Sequence, residues 1–225
     1  MKPSVVVIII VLIIGLGIGG YFWMKAGKKN SETENVKTPE LQETTASNNP
    51  QGDSSKVDFS EVFKNDDLKI SLKYPKGWKT KDLGGDKNVT EPLVRENVLF
   101  VYDPVDPTSE QAKASLKFLR FVLENGIKIN SGDDWYNYVK DKVNKFTEQT
   151  DLVSEVGYKL ISLEKVKDIN GHFAVREDYT LKDNVRGRDY YIYATDIYQY
   201  VFETLESNFN YYQPIFDTIA QSFSK

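Results

Sequence analysis

The chain contains no cysteine among its 225 residues and only one histidine. Without thiols it can form no disulfide, no thiolate metal site and no lipid-modified cysteine of the lipoprotein type. A single imidazole excludes a histidine-rich metal site as well. Acids outnumber lysine plus arginine, 33 to 29, and no basic stripe is present. The electrostatic footprint of a nucleic-acid binder is therefore missing.

Charge is also absent from residues 5–24, an apolar run that ends at Lys25, Lys28 and Lys29. About 20 residues rising ~1.5 Å each cover the ~30 Å hydrocarbon core of a bilayer, so the run is read as one transmembrane helix. A cleaved signal would place small residues at its end. Here the run closes on Tyr21, Phe22 and Trp23, whose amphipathic rings suit the headgroup level of an uncleaved anchor. Orientation has two opposing signals. Lysine counting favours a cytoplasmic C-terminal side, whereas a signal anchor with a four-residue tail before the span exports the rest of the chain. An exported domain on a single-pass anchor is the expectation.

The chain then divides into an anchor at 1–29, a polar linker at 30–56 and a globular domain at 57–225. The linker has almost no large apolar side chains, as in Thr44-Thr-Ala-Ser-Asn-Asn-Pro50. It cannot offset the entropy of ordering its backbone and reads as a flexible stalk of roughly 30 Å reach. The remaining length suits one domain with one core.

Within that domain strands dominate. Leu68, Ile70, Leu72 and Tyr74 alternate with polar residues, Pro75 ends the pattern, and Asn97 to Tyr102 reads as a second strand. Asn170-Gly171 tolerates the positive φ of a tight hairpin and links strands over 158–167 and 173–181. Arg186-Gly187-Arg188 reads as another reversal, leading into strands over 189–195 and 198–205. Trp135, Val139, Val143 and Phe146 form a helical stripe over 133–147, with Ser131 and Asp134 in a capping pattern. Tyr212, Ile215, Phe216, Ile219 and Phe223 form a second stripe, with Pro214 near its start. Residues 112–124 fit a helix by the spacing of Leu116, Leu119 and Leu123, but the layout around them favours a strand.

These residues carry a resemblance. Leu68-Lys-Ile-Ser-Leu-Lys-Tyr-Pro-Lys-Gly-Trp78, Asn97-Val-Leu-Phe100, Asn170-Gly-His-Phe-Ala174 with Tyr179, and the closing Ile219-Ala-Gln-Ser-Phe223 are similar to the motifs of PsbP-like domains. The similarity spans 63–223. It implies an α+β fold in which a central antiparallel β-sheet is sandwiched by helices, here preceded by one transmembrane helix. The family is named for an extrinsic subunit of the oxygen-evolving complex, linked to calcium and chloride retention. Neither a thylakoid-type targeting peptide nor a lipoprotein cysteine is present, so the fold is carried over and the photosystem residues are not.

No catalytic residues, metal site or cofactor follow from the sequence. His172 sits at the tip of a hairpin, a poor platform for a nucleophile–base pair, and reads as a solvated turn residue. Asp103 and Asp106 are weak calcium candidates, with Asp133-Asp134 and Asp82 plus Asp86 as further carboxylates. None has the spacing of a calcium loop, and solubility or helix capping explains them equally. Asp189-Tyr-Tyr-Ile-Tyr193 puts Tyr190 and Ile192 on one face, Tyr191 and Tyr193 on the other. In a two-sided sandwich these tyrosines are core; left uncovered, Tyr191 and Tyr193 would form a platform for a protein or glycan partner. Asn88-Val-Thr90, in a charged Gly-containing loop, is a glycosylation sequon. The expectation is a non-enzymatic, membrane-anchored binding or accessory module outside the cytoplasm, contacting the lipid bilayer through residues 5–24. Two alternatives are a photosystem II-type accessory protein assisting calcium retention and a hydrolase built on facing carboxylates.

Overall fold

The computed structural model describes residues 53–90, 93–108, 111–121 and 127–225, with backbone alone over 82–90 and 93–97. The transmembrane candidate at 5–24 and most of the linker lie outside these residues. Among the described residues, no helix is long and apolar enough to cross a membrane.

Seven antiparallel strands form the central sheet: β3 (Lys79–Thr90), β4 (Leu93–Pro104), β5 (Ala112–Phe121), β6 (Lys159–Ile169), β7 (His172–Thr180), β8 (Val185–Ala194) and β9 (Asp196–Leu205). Their spatial order is β3-β4-β5-β9-β8-β7-β6. A separate hairpin pairs β1 (Glu61–Asn65) with β2 (Ile70–Tyr74). Among the described residues, three α-helices complete the domain: α1 (Gly132–Thr147), α2 (Thr150–Val156) and α3 (Phe209–Gln221).

The helices cover both faces of the sheet, as expected. On one face α3 buries Tyr212, Ile215, Phe216 and Ile219 against Tyr198, Tyr200, Phe202, Tyr190 and Ile192. The β1–β2 hairpin joins this layer through the Ser71–Ser224 bridge. On the other face Trp135, Val139 and Val143 of α1 meet Val175, Tyr191 and Val201. Phe146 of α1 and Val156 at the end of α2 pack with Tyr158 and Tyr179. Each fully buried aromatic or aliphatic side chain removes apolar area worth about 1.5–3 kcal/mol from water.

Local chemistry sets the boundaries. The Asp134 N–H donates to Ser131 Oγ at 3.1 Å, which caps α1. Asn170 and Gly171 adopt φ of 50° and 84°, the two positive values of a primed hairpin turn. Residues 112–121 form β5, an interior strand. Its helix-like spacing arises from burial on both faces, since Leu116 faces the α3 layer and Leu119 the α1 layer.

Two expectations are corrected. Arg186-Gly187-Arg188 is not a turn: the chain reverses earlier, at Asp183 and Asn184 with φ of 60° and 55°, and 186–188 lie inside β8. Gly187 is there because the Tyr179 ring lies against its backbone; an added Cβ would sit 2.1 Å from Tyr179 Cζ. Asn88 is not in a loop either. It lies in β3, an edge strand of the sheet, in register with Arg95. The lysines, aspartates and glycines of 81–87 resemble a loop because an edge strand needs little apolar content, and the ladder is irregular between Asp82 and Asp86.

Candidate functional site

The polar residues in the interior converge on β7 and β8. Strand alternation and register decide which side of the sheet each one meets. Glu177 stands opposite Asp189, and Asp178 stands opposite Arg188. The first pair therefore enters the α1–α2 layer and the second enters the α3 layer.

The α3 side holds an ion pair. Arg188 donates from Nε and Nη2 to the two oxygens of Asp178 at 2.6 and 2.8 Å, and from Nη1 to Asp217 of α3 at 2.6 Å. Tyr190 also donates to Asp217, at 2.7 Å, and the Phe209 ring lies 5.4 Å from the guanidinium carbon. Burial works against the charge of Arg188, but Asp178 and Asp217 outweigh it and push its pKa upward.

The α1–α2 side holds a pair of acids, with Glu203 of β9 nearby. Glu177 and Asp189 are 2% and 1% exposed. Glu177 accepts a short hydrogen bond from the Tyr158 hydroxyl and one of 2.6 Å from Tyr191. Asp189 accepts from Tyr179 at 3.0 Å and from Gln199 Nε2 at 2.7 Å. These four donors are neutral. Burial raises the pKa of Glu177, its tyrosine bonds pull downward, and Asp178 adds an upward push. Burial also lifts Asp189 well above the carboxylate range, reinforced by Glu177 and Glu203 and opposed by Gln199 and Tyr179. Glu203 of β9 is raised by its own burial and lowered by Lys117. Among the described residues, Gln199 Oε1 and Glu203 Oε1 are buried acceptors with no hydrogen-bond partner.

Beside this cluster, Trp135, Tyr138 and Lys142 of α1 and Tyr191 and Ile197 of the sheet line an apolar crevice. At about 10 Å³ it is at the lower limit for one water, too small for a ligand as it stands.

The residues nominated from sequence fall elsewhere or inside the core. Tyr191 is buried, its hydroxyl on Glu177 and its carbonyl accepting from Trp135 Nε1 at 3.0 Å. Tyr193 is half-buried, with its ring 5.6 Å from that of Trp135. The pair is therefore no open platform. Asp103 of β4 accepts from the Tyr212 hydroxyl, and burial raises its pKa against that bond. Asp106 accepts from Thr108 N and Oγ1 at 2.8 and 2.7 Å, a local turn. Among the described residues, no group of three or more His, Cys, Asp or Glu is arranged to hold a metal ion. Asp133 pairs with Lys165 at 2.7 Å, and Asp134 accepts from Asn130 N at 3.0 Å. His172 packs edge-on against Phe223, centroids 5.8 Å apart, and burial followed by Lys225 lowers its pKa while Asp168 opposes them.

Sequence reasoning passed over Glu177, Asp189 and Glu203. A signal was present. Glu177-Asp178 and Arg188-Asp189 are charged pairs inside strands whose two faces carry Ala174 and Val175, Tyr190 and Tyr191, so one charge of each pair must enter each layer.

No protein-family model matches the chain, and no curated protein matches it in sequence. A solved structure does. The solution structure of cyanobacterial PsbP from Synechocystis sp. PCC 6803 superposes with a TM-score of 0.50 at 15% identity, covering 73% of this chain and 91% of that one. The fold is PsbP-like. Within this PsbP-like domain the acid pair occupies strands deep in the sheet, where β8 is flanked by β7 and β9.

Proposed function

We propose that the chain is a membrane-tethered accessory module that binds a partner and catalyses no reaction. Residues 5–24 anchor it in the lipid bilayer, residues 30–56 act as a stalk, and the PsbP-like domain meets a protein or glycan outside the cytoplasm. The observation that carries this reading is the likeness to cyanobacterial PsbP, which extends over 91% of that chain. The chemistry of the acids is consistent with it. Asp103, Asp133 and Asp134 are engaged in bonds that hold the fold, and Glu177 and Asp189 lie beneath helices.

Crosslinking in native membranes, followed by protease treatment of intact cells, tests both halves. The expected result is a crosslinked partner and a protease-sensitive domain. Complete protection of the domain on intact cells would reverse the topology, and recovery of lipid alone would remove the partner.

A second reading, a photosystem II-type accessory protein assisting calcium retention, is favoured by the same likeness. It requires a calcium-dependent rise in the melting temperature of the full-length protein. An unchanged melting curve with added calcium would remove it.

A further inference from the structure

We propose that the Glu177–Asp189 pair is a proton-binding site whose occupancy sets how firmly the α1–α2 layer seats on the sheet. The pair is independent of the identity of any partner. Cross-strand neighbours on one face hold their Cβ atoms about 4.5–5.5 Å apart, so two ionised carboxyls in register repel at short range. Water cannot screen them, because both are almost fully buried. Lateral neighbours are apolar: Leu163 of β6 stands opposite Glu177, and Val201 of β9 opposite Asp189.

Among the described residues, the hydrogen-bond partners of the pair are neutral. From the sheet, Tyr179 of β7, Tyr191 of β8 and Gln199 of β9 offer neutral donors, and Tyr158 offers a fourth from the α2–β6 connection. Glu203 of β9 adds negative potential, and the effect of Lys117 of β5 falls on Glu203. From α1, the inward cation is Lys142, whose ammonium lies 5.1 Å from the Tyr138 ring centre. From α2, Val156 points inward while Asp151 and Glu155 are exposed. Across the sheet, Asp178 is committed to Arg188, with Arg176 Nε 3.9 Å away. A proton is therefore the cation that fits. Held by one carboxyl, it removes one charge and supplies a donor; released to solvent, it leaves two like charges side by side.

The link to the helices is direct. Phe146 of α1 meets the Tyr158 ring edge-on at 5.0 Å, and Tyr158 bonds Glu177. Trp135 of α1 donates to the Tyr191 carbonyl, and the Tyr191 hydroxyl bonds Glu177. Two core residues of α1 thus rest on the two tyrosines that hold one acid. Hydrating an ionised pair requires those tyrosines to move, and α1 with them.

The test uses the full-length protein in detergent. The infrared carbonyl stretch of a protonated carboxyl is followed through a pH titration, alongside hydrogen exchange of α1 and α2. A buried protonated band is expected to persist above the ordinary carboxylate range of about 4 and to fade at higher pH. Over that range the helix amides should open by about tenfold per pH unit for each proton released, beyond the chemical acceleration of exchange. Asp189→Asn should remove most of the added pH dependence, and Glu177→Gln should reduce it while leaving the part that burial of Asp189 supplies. A band in the wild-type protein that is lost already within the ordinary carboxylate range of about 4 would overturn the proposal. So would helix protection that stays level while the band disappears. Glu203→Gln, which leaves the pair in place, should keep most of the pH dependence, and both overturning outcomes are read on the unaltered chain.

Discussion

At the centre of the β7–β8 ribbon, neighbouring residue pairs solve the burial of charge in opposite ways. Asp178 and Arg188 face α3 as a bidentate ion pair, completed by Asp217. One residue along each strand, Glu177 and Asp189 face α1 and α2 as two acids with neutral donors on all four oxygens. The backbone, the strands and the depth of burial are shared, so the difference lies in the side chains each layer contributes. The α3 layer brings a carboxylate to the guanidinium, and its charges cancel by attraction. The α1–α2 layer brings tyrosine hydroxyls, and its charges are relieved by taking up protons. One site carries its own counter-charge, and the other does not.

Removing the cation breaks this contrast most severely. Arg188→Met leaves Asp178 buried without its partner, and breaking a buried pair on one side costs about 3–5 kcal/mol. Urea denaturation at neutral pH should show a stability lowered by that amount. A loss below about 1 kcal/mol would mean that Asp178 is rescued by Arg176, 3.9 Å away.

Crowding the acid side comes next. Gly187→Ala drives a methyl into the Tyr179 ring, which holds Asp189. Overpacking of this kind costs about 1–3 kcal/mol. Combining it with Tyr179→Leu should cost less than the sum of the separate effects, because the clash and the hydrogen bond involve one ring. Full additivity would show that the clash is relieved elsewhere.

How far such detail could be read from the chain depended on whether a signal was local. Asn170-Gly171, the alternation through Ile70, Leu72 and Tyr74, and the Trp135-to-Phe146 stripe each carry their period within a few residues and lie where expected, whereas Leu68, expected in the same strand, falls in the turn before β2, where Lys69 has a φ of 54°. The strand β5 carries two apolar faces at once and so resembled a helix. The helix α2, with seven residues, is too short to show a period. Gly187 looked like a turn because the reason for its missing side chain, the Tyr179 ring, arrives from another strand. The acid pair was hidden for the same reason. Glu177 and Asp189 are twelve positions apart, and only the β7–β8 register makes them neighbours.

Removing a single hydroxyl is milder. Tyr191→Phe deletes one of the two donors to Glu177 and leaves the Trp135 bond to the residue 191 carbonyl intact. A buried acceptor losing one partner costs about 1–3 kcal/mol, and the lower end is expected while Tyr158 still holds the other oxygen. Thermal melting at neutral pH gives the value. The same substitution at Tyr190 removes a bond to Asp217, which keeps Arg188. It should cost less, and a larger loss there would mean that the α3 network leans on its hydroxyl more than on its cation.

Asp189→Asn has the smallest effect at one pH and the most informative one across pH. Asparagine has nearly the shape of the protonated acid and cannot ionise. The folded-state pKa of Asp189 lies well above its ordinary value, so the native state binds more protons than the unfolded one between those two values. Stability from this group is complete below the usual carboxylate range of about 4 and declines as pH rises through the folded-state pKa. Wild-type stability should therefore slope downward over that window, and Asp189→Asn should flatten the slope, falling slightly below wild type in acid and overtaking it in base. Asp178→Asn on the opposite face should instead lose stability at neutral pH, because it weakens the partner of Arg188. Parallel pH profiles for the two variants would mean that the acids on both faces are ionised alike, and the contrast between the layers would collapse.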